Sequence, residues 1–255
     1  MAISRTRVFS SSNRYKTTFS QNIGESITKF DYVIVHVLTW DRTSATEPSV
    51  SSITLADSIY PTRTITLTEI ASQTRNEAIA KGGWCTIKSY GGQYIGDAGD
   101  ISSGSITITL NVNTEYIFTH GAIYRGVPYD YTLILGEIDT NNGDGTTHDY
   151  GSVSFIWPNP WLHSYIVVWD TESNIGTYIF DDPSGFTVLR GDNETSSPGY
   201  SLYMQTMDDG PYPVSGSVEP TPDDTSTVAI QWMTALFTIM DRDSYPKDGG
   251  MGVLF

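Results

Sequence analysis

The stretch SGSITITLNVNTEYIFTHGAIYRGV, residues 103–127, decides the fold class of this chain. Alternating apolar residues lead into a longer apolar run, which ends at a turn formed by Gly126 and Pro128. Period-two alternation bounded by a turn is typical of paired β-strands. A similar arrangement returns at residues 214–240. The sequence therefore predicts two copies of one β-motif.

Strand patterns recur along the 255 residues. YVIVHVLTW (32–40) is a nearly continuous β-branched run and predicts a strand covered on both faces. Helix signals are poor: EIASQTRNEAIA (69–80) predicts a short helix or a loop, and the turn dipeptides of DTNNGDGTTHD (139–149) predict a loop. Further strands are predicted at 63–70, 84–90, 105–112, 115–124, 131–138, 152–157, 164–170, 176–180, 186–190, 200–207 and 227–240.

These patterns predict an all-β protein whose body, residues 25–245, is a single large antiparallel β-sandwich. A chain of this length can bury a sizeable core. VIVHVLTWD (33–41) parallels YIVVWDTES (165–173), which indicates an internal duplication. The pseudo-repeats lie at about 30–138 and 152–240, and the simplest arrangement places both in one two-sheet sandwich. Residues 246–255 form a C-terminal tail.

The first 24 residues are basic, whereas the rest of the chain is acidic. They carry Arg5, Arg7, Arg14 and Lys16 and no acid, so their charge is +4. Since the whole chain carries −15, the remaining residues carry −19. This composition predicts an extended, initially mobile arm on an acidic body, with the four cations as partner-binding residues. The alternative is an ordinary disordered or strand-forming terminus.

Charge and hydropathy exclude several partners and compartments. The acidic balance argues against nucleic acid, which requires a basic footprint. No run approaches the roughly 18 apolar residues of a membrane span. The N-terminal residues lack the apolar region of a signal peptide, so we expect synthesis in a cytoplasm. Cys85 is the only cysteine, so no intrachain disulfide is possible.

The sequence carries no catalytic signature, so we expect no enzyme and no cofactor. It lacks a G-x-S-x-G elbow, a phosphate loop and a dinucleotide fingerprint. The histidines, His36, His120, His148 and His163, have no metal-ligand spacing, and the first two are interpreted as structural. Cys85 lies in a predicted strand and is interpreted as a small buried thiol. A β-sandwich hydrolase remains the weakest of the alternatives.

A calcium site is a minor alternative for the 139–149 segment. Asp139, Asn141, Asp144 and Asp149 supply the hard oxygen ligands that calcium prefers. Their spacing does not follow the EF-hand template, and a flexible surface turn accounts for the same residues.

A glycan-binding loop is a second alternative. Trp157, Asn159 and Trp161 combine two aromatic rings with an amide, a combination that stacks on sugars when it is exposed and rigid. The competing interpretation is that the two tryptophans close one end of the sandwich.

The order of short motifs resembles the β-sandwich modules of bacteriophage tail, fibre and other virion-surface proteins. The resemblance covers about residues 30–240, and the chain departs from the pattern at Ala56-Asp57, where the modules usually have a glycine. The motifs of the first half are SVSSITLAD (49–57), TLTEI (66–70), WCTIKSY (84–90), SGSITITL (103–110) and FTHGAIYRGV (118–127), and those of the second half are YIVVW (165–169), DPSGFTVL (182–189), YSLYMQTM (200–207) and STVAIQWMTALFTI (226–239).

The resemblance implies a jelly-roll-like fold and a structural role on the particle, with no catalytic residues to carry over. We expect a virion protein that decorates the capsid or belongs to the tail or a fibre. It would dock on capsid or tail subunits through the basic arm, and it would form homo-oligomers. The alternative function is a glycan-binding adhesin module for attachment to the host surface.

Overall fold

The computed structural model describes residues 3–76, 83–96, 99–130, 134–155, 158–170, 185–196, 200–212, 216–219 and 225–242. Within these ranges the chain is all-β and contains no α-helix. Its strands are β1 (Ser4–Asn13), β2 (Lys16–Asn22), β3 (Tyr32–Asp41), β4 (Val50–Asp57), β5 (Thr64–Ile65), β6 (Thr68–Asn76), β7 (Trp84–Gln93), β8 (Gly104–Thr114), β9 (Tyr116–Arg125), β10 (Leu135–Thr147), β11 (Val153–Phe155), β12 (Trp161–Asp170), β13 (Thr187–Ser196), β14 (Tyr200–Asp209), β15 (Gly216–Val218) and β16 (Thr225–Ile239).

These strands form layered antiparallel sheets, and each half of the chain builds its own. The first half makes a five-stranded central sheet, β1-β9-β3-β7-β6, and a four-stranded outer sheet, β2-β8-β4-β5. The second half makes a five-stranded distal sheet, β10-β16-β12-β14-β13, and a two-stranded ribbon, β11-β15. The antiparallel β-sandwich class is confirmed, with more layers than the two shared sheets that we expected.

Three apolar clusters hold the layers together. One lies between the outer and central sheets, one between the central and distal sheets, and one between the distal sheet and the ribbon. Every residue of β3 is buried, because Val33 and Val35 face the outer sheet while Ile34 and Leu38 face the distal sheet. The prediction of a strand covered on both faces is therefore confirmed.

The prediction of a helix or loop at 69–80 is wrong over its described part. Residues 68–76 form β6, which pairs with β7 along its length. Gln73 is buried against the distal sheet and donates to the Thr234 carbonyl at 2.9 Å, so tertiary pairing overrides the local sequence preference.

The prediction of a loop at 139–149 is also wrong, because residues 139–147 continue β10. The two glycine dipeptides lie inside a strand paired with β16. Gly143 sits opposite Trp232, where a Cβ would come within 2.6 Å of the indole, and Gly145 adopts φ 142° beside a bulge. Glycine inside a strand marks such close approaches and bulges as well as turns. The strand predicted at 176–180 and the C-terminal tail predicted at 246–255 lie outside the described residues.

The basic N-terminal segment belongs to the body, which corrects the prediction of a separate mobile arm. Its residues form β1, an edge strand of the central sheet, and β2, an edge strand of the outer sheet. Phe9 and Phe19 are 5% and 8% exposed and pack in the cluster between these sheets. Burial of two aromatic rings anchors the segment, so the strand-forming alternative is the one observed.

The two halves have the same relative strand order. In each half the first strand lies beside the last, and the third strand lies on the other side of the last: β1-β9-β3 and β10-β16-β12. The segments that we paired by sequence, 33–41 with 165–173, contribute to the corresponding strands β3 and β12. Internal duplication itself stays a prediction.

Candidate functional site

The four predicted partner-binding cations lie in three different environments. Arg5 forms an ion pair with Asp208 of the distal sheet, a carboxylate that is only 2% exposed. The Arg14 guanidinium lies 4.7 Å from the centre of the Tyr116 ring, and Arg7 and Lys16 are exposed. Arg5 therefore joins the two halves of this chain, whereas the other three cations stay at the surface.

The tryptophan loop predicted as a glycan site is only partly described. Trp157 lies outside the described residues. Trp161 packs against the cluster between the central and distal sheets, with its ring 6.2 Å from Tyr124. Asn159 adopts φ 60° and donates its backbone N–H to the Tyr212 carbonyl at 2.5 Å. Trp161 is thus partly buried against the core at this end of the sandwich.

The calcium candidates are spread along one strand and the segment after it. Asp139 accepts hydrogen bonds from the backbone of Thr140 and Ser152, each at 2.8 Å. Asp144 pairs with Arg75 at 3.0 Å, and Asp149 caps the Gly151 amide at 2.8 Å. Asn141 offers its backbone carbonyl to Gln73 at 3.1 Å. Among the described residues, no group of three or more His, Cys, Asp or Glu side chains is placed to hold a metal ion.

The most concentrated chemistry of the molecule lies between the central and distal sheets. His36 of β3 and His163 of β12 face each other with their Nε2 atoms 2.7 Å apart. Behind His36, the Ser89 hydroxyl lies 2.8 Å from Nδ1. Behind His163, the Tyr124 hydroxyl lies 2.8 Å from Nδ1 and donates to Asp208 at 3.2 Å. We call this chain of side chains, with Arg5 at its end, the polar seam.

Strand register explains how these residues meet. His36 pairs with His120 on one neighbouring strand and with Ser89 on the other, so three polar residues form one row of the central sheet. His163 pairs with Asp208 in the facing distal sheet. Because alternate residues of a strand share a face, each row points into the same interface as the apolar residues two positions away.

The hydrogen bonds of the seam have a defined direction. Asp208 accepts from Arg5 and from the Tyr124 hydroxyl, so it acts as a carboxylate. Tyr124 has then used its only proton, and its oxygen must accept from Nδ1–H of His163. The unprotonated Nε2 of His163 in turn accepts from Nε2–H of His36, whose Nδ1 accepts from Ser89. Each proton between Ser89 and Asp208 is therefore assigned, and both imidazoles are neutral.

Burial keeps the histidines neutral. Desolvation lowers the pKa of His163 from 6.5 to about 3, with smaller contributions from the nearby Arg5 and His120. Desolvation also places the pKa of His36 well below its usual value, and proximity to His163 adds to the effect. At the Arg5 end of the seam, burial raises the pKa of Asp208, while the hydrogen bond and charge of Arg5 oppose that rise.

Two further polar contacts join the same sheets at their edges. Near β1 and β13, His120 lies 3.0 Å from Asp192, which also binds Arg190 at 2.7 Å. Near β6 and β10, Arg75 donates to the Gly143 carbonyl at 2.6 Å. Together with the Gln73 contacts, these hydrogen bonds tie both edges of the central sheet to the distal sheet.

The seam has the residue types of an acid–base catalyst but lacks access to a substrate. General acid–base catalysis requires the group to reach the proton that it transfers. His36, Ser89 and Tyr124 are fully buried, and His163 is 1% exposed. Cys85 is also fully buried, and desolvation raises its pKa well above the usual value, as expected for an inert thiol. The arrangement therefore holds two sheets in register.

Sequence reasoning identified His36 and His120 as structural but missed their partners. His163, Tyr124 and Asp208 lie at apolar-facing positions of strands, where a polar side chain must find a buried partner. That pattern is a usable signal, although it does not say which buried groups meet.

Comparison with known proteins adds no relative: no protein family, curated protein or solved structure matches this chain. In the described part of the chain, no helix is long and apolar enough to cross a membrane.

Proposed function

We propose that this chain is a structural protein of a bacteriophage particle, a capsid decoration or a component of the tail or a fibre, built from two jelly-roll units. The observation that carries this proposal is the nested strand pairing of each half. β1 pairs with β9, β2 with β8 and β3 with β7; in the second half β10 pairs with β16, β11 with β15 and β12 with β14. First-with-last pairing that continues inward is the pattern of a jelly roll.

Two other observations support a structural role. Jelly rolls recur in viral capsid and lectin domains. The motifs of this chain resemble virion-surface modules, and its cluster of ionisable residues is buried between sheets. A protein that forms part of a particle needs rigid, cooperative layers, and the polar seam with its two edge contacts supplies cross-links between the halves.

Docking on neighbouring subunits is proposed to use the exposed cations of the N-terminal strands. Arg7, Arg14 and Lys16 lie on or between two edge strands. The rest of the chain is strongly acidic, so the surface of a second copy has the complementary charge. This charge pattern favours a homo-oligomer or a contact with another acidic virion protein.

Electron microscopy of phage particles tests the particle assignment. Gold-labelled antibodies raised against the purified chain should decorate intact particles at regular positions. Labelling confined to soluble lysate protein, with bare particles, would reject the assignment. Docking is tested separately with Arg7→Ser/Lys16→Ser, which should reduce incorporation. The matched control Arg63→Ser/Lys88→Ser removes two cations elsewhere and should leave incorporation unchanged.

A glycan-binding role in host attachment remains the second candidate. In the described part of the tryptophan loop, Trp161 is partly buried against the sandwich, which leaves less of its ring for a sugar. A different surface, on the outer sheet, supports it better.

A further inference from the structure

Three adjacent rows on the solvent face of the outer sheet carry hydroxyl groups, one amide and one alanine, and no charge. Thr18 pairs with Thr109, which pairs with Ser52 on the next strand. The next row is Ser20, Thr107 and Thr54. We call the outward-facing residues of β2, β8 and β4 the hydroxyl face: Thr18, Ser20, Asn22, Ser105, Thr107, Thr109, Ser52, Thr54 and Ala56.

The absence of charge on this face is informative in a protein that carries −15. Surfaces designed to stay soluble carry about 25–35% charged residues of both signs, whereas these nine outward positions carry none. The nearest cation of β2, Lys16, lies beyond the row that contains Thr18. β-Propensity favours threonine in strands, but it does not exclude lysine or glutamate from every outward position.

The hydroxyl groups are evenly spaced and partly linked to each other. Ser20 and Thr107 share a hydrogen bond of 2.9 Å, and Thr18 donates to Thr109 at 3.4 Å. Neighbouring strands lie about 4.8 Å apart, and successive side chains on one face lie about 6.7 Å apart. Each hydroxyl has one proton and two lone pairs, so the linked groups keep capacity for an external partner.

A cavity of about 320 Å³ adjoins this face. It is lined by Thr64, Thr66, Thr68, Gln93 and Ile95. Thr64 continues the grid, because it pairs with Ala56 at the edge of the hydroxyl face. Ile95 is 66% exposed and gives the cavity an apolar wall. None of these five lining residues, which are those that the structure describes, is ionisable.

We propose that the hydroxyl face and this cavity bind a neutral, hydroxyl-rich glycan, with one sugar ring against Ile95 and its neighbours along the threonine rows. This function goes beyond a structural role in the particle. Sugar hydroxyls match the alternating donors and acceptors of the grid, and the C–H face of a ring suits an aliphatic wall. A neutral glycan is not repelled by the acidic body.

A second copy of the chain fits this face less well. The cores of protein–protein interfaces are enriched in aromatic residues and methionine. The hydroxyl face contains no apolar side chain larger than Ala56, so self-association would desolvate hydroxyls with little apolar burial in return.

Binding of the full-length protein to an array of neutral and acidic glycans tests the proposal. We expect neutral glycans to bind and Thr107→Lys, at the centre of the grid, to reduce affinity at least about tenfold by inserting a long charged side chain. Thr107→Val keeps the shape but removes one hydroxyl and should weaken binding several-fold. The control Ala45→Lys adds the same charge on an exposed loop and should bind like wild type.

Three outcomes would overturn the proposal. The first is that no neutral glycan binds a wild-type protein with an intact melting transition. The second is that Thr107→Val and Thr107→Lys, with wild-type melting temperatures, bind as tightly as Ala45→Lys. The third is that sedimentation shows a wild-type dimer that Thr107→Lys splits while glycan binding is absent. The particle assignment is unaffected by any of these results, because it is tested by labelling.

Discussion

His36 and His163 approach each other with their Nε2 atoms 2.7 Å apart and thereby connect the two halves of the chain across a buried interface. Their rings are stacked, with centroids 4.9 Å apart. Only one proton fits between the two nitrogens, so the contact is lost when His163, which already carries a proton on Nδ1, takes up a second proton on Nε2. The interface is thus strong at neutral pH and sensitive to acid.

Acid should destabilise the protein well before its carboxylates titrate. His36, His120 and His163 have a pKa below the usual 6.5 in the folded state, mainly through desolvation. Their stabilisation is therefore complete above about pH 6.5 and is lost as the pH falls toward the folded pKa. Between pH 7.5 and 5, His163, whose folded pKa is about 3, should cost about 2 kcal/mol of the free energy of unfolding, and His36 and His120 add to the loss in the same direction. Urea titrations at both pH values measure this loss.

The variant His163→Gln provides the control for that titration. Glutamine retains hydrogen-bonding groups but does not titrate, so the loss between the two pH values should shrink by about 2 kcal/mol. Burial raises the pKa of Asp208, so this group binds its proton at a higher pH in the folded state than in the unfolded state. Its protonation therefore favours folding as the pH falls and reduces the loss. Equal free energies of unfolding at pH 7.5 and 5 in the wild type would refute the neutral seam.

Loss of Arg5 should cost far more than loss of Arg7. Arg5→Ala leaves the Asp208 carboxylate buried without its cation, which should lower the free energy of unfolding by about 3 kcal/mol. Arg7→Ala, two residues along the same strand, removes an exposed cation and should cost less than about 0.5 kcal/mol. Chemical denaturation of both variants at pH 7 gives the comparison, and equal losses would contradict the pairing of Arg5.

Deletion of residues 1–22 should prevent stable folding. The deletion removes two strands and the buried rings of Phe9 and Phe19, which together contribute on the order of 5 kcal/mol. That is a large share of the roughly 5–15 kcal/mol that stabilises a domain. Circular dichroism melting measures the effect. A truncated protein that melts at the wild-type temperature would contradict this prediction and would indicate that the segment is a dispensable arm.

Gly121→Ala should disturb the junction of β1, β9 and β3. A Cβ there would lie 2.2 Å from the Phe9 ring and 2.8 Å from the Ile34 carbonyl, so we expect a loss of about 2 kcal/mol. Gly216→Ala is the matched control, since a Cβ at Gly216 meets nothing within 4 Å. Melting temperatures of the two variants decide the question; a loss at Gly216 as large as that at Gly121 would count against the observed packing.

Much of the fold was readable from the sequence because alternation is a local signal. The buried run at 32–40 and the motif at 103–127 predicted strands that the structure contains. The glycines of β10 misled because the same residue serves turns and close strand contacts, and only the position of Trp232 distinguishes the two. Similarly, the basic N-terminal segment has the composition of a mobile arm, and only the burial of Phe9 and Phe19 shows that it belongs to the sheets.

The seam could not be predicted because its contacts span long separations. His36 and His163 are 127 residues apart, and Tyr124 and Asp208 are 84 apart. Strand order and sheet stacking decide which rows meet, and neither follows from local pattern. The hydroxyl face could not be predicted for the same reason, because its residues come from three strands that are distant in sequence.

The most direct test of the buried neutral seam is nitrogen NMR of histidine-labelled protein at pH 5.5. The seam predicts that His36 is neutral with its proton on Nε2 and that His163 is neutral with its proton on Nδ1. A free imidazole would be largely charged at this pH, given its usual pKa of about 6.5. A charged ring at either position, or the opposite pair of tautomers, would contradict the proton assignment that joins the two halves.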